Sequence, residues 1–136
     1  TSIVCGDCGG DAQAIWRGKS AKAVRFTLFR IHGVGPGIAS MIPILIEKAY
    51  GEEFADLDHA EMNIKPDVHT VRVLFRLGLS ESMTEEAALR AAKAANPSFP
   101  GKLDPPLWLI GRKWCFPSNP RCGQCPMDAV CLKIGL

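Results

Sequence analysis

The chain has 136 residues, 47% of them hydrophobic, with 16 Lys and Arg against 14 Asp and Glu and a formal net charge of +2. That length fits one domain with a real core, and no apolar run reaches the ~18 residues that a membrane-spanning helix needs. The net charge is too small to exclude a partner class, but the charges are segregated: Arg17, Lys19, Lys22, Arg25 and Arg30 occur in 17–30 without an acid, Lys102, Arg112, Lys113 and Arg121 face only Asp104 in 102–121, and Glu47, Glu52, Glu53, Asp56, Asp58 and Glu61 collect between them. A segregated basic surface suits a polyanion, although an ordinary solvated face has the same composition.

Along the chain the pattern predicts helices and no strand. Residues 1–8 are apolar around Ile3 and Val4 and stop at Gly9-Gly10. Asp11 is placed to cap a short helix through Ala14, Ile15 and Trp16, and Ser20 to cap a second over 21–31, where Val24, Leu28 and Ile31 recur at helical spacing with Phe26 and Phe29. Gly33-Val34-Gly35-Pro36-Gly37 is too rich in glycine to be helical and predicts a tight hairpin. The next helix is expected from Ile38 to about Tyr50, with Pro43 near its first turns and Gly51 at its end. Residues 52–66 read as acidic and irregular. Asp67 then caps a helix over 67–77 whose apolar face is Val68, Val71, Leu74 and Phe75, stopped by Gly78. Thr84 opens an alanine-rich helix ending near Asn96-Pro97. Pro100, Pro105 and Pro106 mark a linker, and a last helix is expected from about Leu107 to Lys113. The class is all-α, organised as a helical region over 1–106 and a helix with its following loop over 107–136.

That following loop is the most specific feature. Cys115, Cys122, Cys125 and Cys131 form C-x6-C-x2-C-x5-C. Disulfides favour long loops and oxidising compartments, whereas four thiolates packed this closely are ligands for a soft metal centre. Zinc and iron–sulfur clusters both accept four cysteines. Zinc sites use two C-x2-C knuckles separated by a dozen or more residues. The single knuckle here, with wider gaps around it, favours a [4Fe–4S] cluster. Cys5 and Cys8 form a separate C-G-D-C and read as two ordinary thiols.

The glycine hairpin offers a second chemistry. Gly33, Val34, Gly35 and Gly37 can present main-chain amides, at a helix N-terminus, to one nucleic-acid phosphate. A Gly-x-Gly turn alone is a weak signal, and a plain helical hairpin reads the same way.

Taken together, GVGPGIA, PDVHTVRVLFRLGL and the cysteine loop resemble the endonuclease III superfamily of DNA glycosylases, in an order that agrees from about Ile15 to Cys131. The resemblance implies a helix–hairpin–helix fold over about 21–50, a [4Fe–4S] cluster on the four loop cysteines, and double-stranded DNA as the partner of a monomer. It implies Asp67 as the catalytic carboxylate, acting on the N-glycosidic bond of a damaged or mismatched base turned out of the stack. Lys113 and Arg121 are then expected on phosphates. The position where family members with strand-cleaving activity carry lysine is Gly37 here, so a monofunctional glycosylase is expected. The stretch before Ala21 is too short for the helices that precede the hairpin in the family, so part of the barrel is expected to be missing. The implied location is cytoplasmic at a nucleoid, or nuclear. The alternative is a non-catalytic iron–sulfur DNA-binding module or fragment; a ferredoxin-like carrier fits least, since the chain is not acidic and lacks a C-x2-C-x2-C run.

Overall fold

A computed structural model describes residues 3–136, the side-chain surroundings at 36, 37 and 40 lying outside the described residues. Every regular element among the described residues is helical, which agrees with the all-α expectation. Contacts divide the chain into two compact units, residues 1–58 and 59–136.

The first unit opens with one wide π-type turn, Ile3–Asp7, and a 3-10 turn, Ala12–Ile15. Asp11 caps the latter through Gln13 N at 2.9 Å. Helix α1, Ala21–Phe29, starts at Ser20, whose hydroxyl takes Ala23 N at 3.2 Å. Its first two amides have a distant partner as well: Ala21 N and Lys22 N donate to the two oxygens of Asp56 at 2.7 and 3.0 Å. These amide bonds hold the Asp56 carboxyl below the usual carboxylate range. The supposedly irregular acidic stretch therefore serves α1 as a second cap.

Helix α1 stops two residues before the predicted end, because Arg30 N and Ile31 N turn back to Thr27 O and Leu28 O three residues earlier. Val24 and Leu28 are buried as expected, but Phe26 is 70% exposed. At ~100° per residue Phe26 stands about 200° around the helix from Val24, on the opposite side. Gly33 turns the chain at φ +86°, a region costly to any residue with a Cβ. Helix α2, Pro36–Tyr50, begins two residues earlier than predicted, with proline in the first turn where its missing N–H is not needed. Pro43 consequently falls mid-helix, where its nitrogen has no N–H to donate to the turn before it. Gly51 closes α2 in the left-handed conformation.

The second unit contains a 3-10 turn, His59–Glu61, then α3, Val68–Leu77, α4, Glu85–Ala95, a 3-10 turn, Pro100–Leu103, and α5, Asp104–Lys113. Its core is Ile64, Val71, Val73, Leu74, Ala88, Ala92, Leu107 and Ile110, with Trp114, Cys115, Cys125 and Met127 packed on it. Thr84 and Gly78 cap and stop their helices as the sequence predicts. The stretch through Pro105 and Pro106 is not a linker. Both prolines sit in the first turn of α5, where free amides are not missed, so the helix begins at Asp104 rather than Leu107. Helices α3 and α5 meet at Gly111, where a Cβ would lie 2.6 Å from the Cβ of His69. Only glycine permits that approach.

Candidate functional site

Cys115, Cys122, Cys125 and Cys131 line one hollow of about 380 Å³, open space included, together with Val73, Ile110, Trp114, Arg76 and Lys133. The hollow forms because Cys115 N closes the end of α5 by bonding Ile110 O, Arg121 N returns to Trp114 O at 2.8 Å, and a 3-10 turn, Cys122–Gln124, brings Cys125 N to Cys122 O at 2.8 Å. Cys131 is held from α3, its Sγ 3.3 Å from Arg76 O. Among the described residues no group of three or more His, Cys, Asp or Glu is drawn together tightly enough for a single metal ion. One zinc needs every sulfur at about 2.3 Å from a common centre. Four cysteine sulfurs lining one hollow are a donor set of the kind that ligates a soft metal centre.

Arg76 lines this hollow, and Arg72 binds the backbone at its first cysteine. Arg72 and Arg76 are 5% and 7% exposed. The sequence suggests phosphate or the acidic segment 52–61 as their partners; both instead bind the start of the cysteine loop. Arg72 Nε donates to Cys115 O at 2.7 Å and Nη2 to Gly111 O at 3.3 Å. Arg76 donates to Phe116 O at 2.6 Å, Pro117 O at 2.8 Å and Cys115 Sγ at 3.4 Å. Neither has a carboxylate partner among the described residues. A buried guanidinium without a counter-ion is costly, and the Cys115 sulfur is the nearest group that carries negative charge when ionised. Lys133 stands at the same hollow, its ammonium pushed up chiefly by the 2.7 Å pairing with Asp128 and further by Cys122 and Cys131. Since Arg72 can only donate, Nδ1 of His69, 3.1 Å from Nη2, is the accepting nitrogen.

Asp67 heads α3. Its Oδ1 accepts His69 N and Thr70 N, both at 2.8 Å, and Thr70 Oγ1 returns the bond from Asp67 N at 2.9 Å, a complete capping box. Both cap bonds fall on one oxygen, which leaves Oδ2 without a partner among the described residues. Asp67 lines a cleft of about 890 Å³, open space included, with Val68, Met83, Glu85, Arg72 and Arg76. Val68, expected in the apolar face of α3, is 71% exposed and belongs to this cleft. Glu85 is a second carboxylate that sequence reasoning passed over, because a glutamate in the first turn after a Thr cap is a routine helix-start residue. Arg76 lines both the cleft and the cysteine hollow.

The hairpin residues Gly33, Val34 and Gly35 lie in the first unit, apart in sequence from the cleft. Val34 N bonds Ile31 O at 3.1 Å, while the amides of Gly33 and Gly35 donate to nothing among the described residues. Gly37 lies outside the described residues in its surroundings. His32 is exposed next to the turn. Lys113 and Arg121 are exposed and stand over the rings of Trp114 and Phe116 at 5.9 and 5.4 Å. Trp114 packs on the core, whereas Trp108 is 42% exposed. No family model, no curated protein and no solved structure matches the chain.

Proposed function

We propose that this chain is a DNA base-excision glycosylase of the endonuclease III kind, hydrolysing the N-glycosidic bond of a damaged or mismatched base. The observation that carries the reading is helix α3: it presents Asp67 to a cleft at its first turn and sends Arg76 to a four-cysteine hollow at its last. The alternative, a binding module without chemistry, uses the hollow and leaves Asp67 its helix cap alone, with Oδ2 unused in the cleft.

Cys115, Cys122, Cys125 and Cys131 would hold a [4Fe–4S] cluster, which would supply a rigid structural centre to a loop with one short 3-10 turn among the described residues. In the cleft, rupture of the bond between C1′ and the base leaves positive charge on the sugar. The Asp67 carboxylate stabilises that charge or takes a proton from the attacking water. Oδ1 is committed to the helix cap, so Oδ2 is the oxygen for this work. The amides of Gly33 and Gly35 receive a backbone phosphate. With glycine at 37 no amine is present there to form a Schiff base, and the sugar–phosphate strand stays intact.

Asp67→Asn tests the reading because an amide oxygen keeps the cap. On a panel of duplexes containing uracil, thymine mismatches, oxidised pyrimidines, alkylated purines or adenine mispairs, the wild-type chain should release a base from at least one. The variant should lose that release by at least about a hundredfold, with a stability change below ~1 kcal/mol. Duplex binding with no release from any member of the panel would leave the binding module as the function.

A further inference from the structure

Trp108 is large, apolar and 42% exposed, with Leu109 beside it at 40%. One exposed ring needs no explanation. Its surroundings do. The Arg112 guanidinium sits 4.9 Å from the centre of the Trp108 ring, one helical turn on. Lys113 and Arg121 repeat the arrangement over Trp114 and Phe116. Three cation–ring pairs fall between 108 and 121, where about one per 70–80 residues is usual. The pairs adjoin: Arg112 and Lys113 are neighbours, and Arg121 N bonds Trp114 O at 2.8 Å. No acid occurs from 105 to 127, and none of the three cations pairs with a carboxylate among the described residues. Their charge is available to an outside anion.

We propose that the exposed side of α5 and the first residues of the cysteine loop form a stacking site for an unpaired nucleotide, with Trp108 and Arg112 against the base and Lys113 and Arg121 against flanking phosphates. The partner class and the phosphate role of Lys113 and Arg121 rest on the nucleic-acid reading above; the single-stranded element and the stacking role of Trp108 and Arg112 are new. Flat rings beside guanidinium groups suit bases of any sequence, because every base has a π-face. A duplex keeps its bases stacked on one another, so this surface discriminates for strands that are melted or gapped.

The test uses the full metal-loaded chain and a fluorescein-labelled oligothymidylate of about 15 nucleotides without lesion or complement. It reads binding by anisotropy, so its outcome is independent of whether any base is released from duplex. Trp108→Ala should weaken binding by about tenfold or more and Trp108→Phe by much less. Lys113→Gln and Arg121→Gln should each flatten the slope of log K against log salt by about 0.7. As a measurement on the unaltered chain, photocrosslinking to the same oligomer carrying bromouracil should map to Trp108. Unchanged affinity in a folded Trp108→Ala, crosslinks only elsewhere, or Trp108-dependent binding to anionic phospholipid vesicles with none to the oligomer would each overturn the proposal.

Discussion

At the scale of single residues, what governs this molecule is where charge is buried. Burial pushes the Asp104 carboxyl above the usual range, against the pull of the Lys65 amide on Oδ2 at 2.7 Å and with the nearby Asp67 adding to the rise. A raised value means the native state holds the proton more firmly than the unfolded chain. The stability this gives is complete below the unfolded value and is lost as pH climbs through the raised one. Asp104→Asn keeps an acceptor for the Lys65 amide and removes that loss. The difference in Tm, variant minus wild type, should grow between pH 3 and pH 7; a difference that stays constant or shrinks would contradict the buried-acid account. Arg76 is the opposite case, a buried cation with three acceptors. Arg76→Leu strands the carbonyls of Phe116 and Pro117 and should cost on the order of 2–3 kcal/mol in urea titrations.

The local caps at Asp11, Ser20, Asp67 and Thr84 were legible in the sequence because a cap lies within three residues of the amide it serves. Asp104, Arg72 and Arg76 were not, because their partners are about 40 positions away and only folding brings them together. The same limit explains Trp108. Its spacing from Leu107 and Ile110 is compatible with either side of α5, and packing against α3 chooses the side.

At the scale of elements, helix identities followed from apolar periodicity, while the ends followed from chemistry that periodicity does not report. Prolines 36, 105 and 106 all lie inside first turns, and each time the helix begins earlier than its apolar pattern. The α3–α5 contact is the element-scale feature most open to test. Gly111→Ala inserts a methyl against the backbone and Cβ of His69, which cannot swing aside as a long side chain would. The helices must separate, straining the bonds from Arg72 to Gly111 O and Cys115 O. A loss of about 1–3 kcal/mol is expected, read by calorimetry, whereas an unchanged melting temperature would show that the contact is looser than the geometry states.

At the scale of the whole molecule, the two units draw on different sources of order. The first is held by its hairpin, its caps and the Asp56 bonds. The second has an apolar core over α3, α4 and α5, but beyond Lys113 the chain has only one short 3-10 turn among the described residues. Val130, Leu132 and Leu136 remain exposed there. Order in 115–136 comes from Cys115, Cys125 and Met127 packed on the core, from the bonds of the two arginines to 115–117 and, on the proposed function, from a metal centre on the four sulfurs. Stripping metal from the loaded protein should raise the rate of proteolytic cutting within 115–136 by about tenfold or more while sites in α3 and α4 stay protected. Equal cutting before and after would mean that the sulfurs contribute nothing to that order.

The two bonds that Asp56 accepts from the start of α1 make the helical hairpin dependent on residues that come after it. Excised at Gly51, the pair of helices would return two amides to water and leave α1 to fray from its first turn. A minimal, self-sufficient version of this hairpin, for grafting or for study in isolation, has to extend through residue 56.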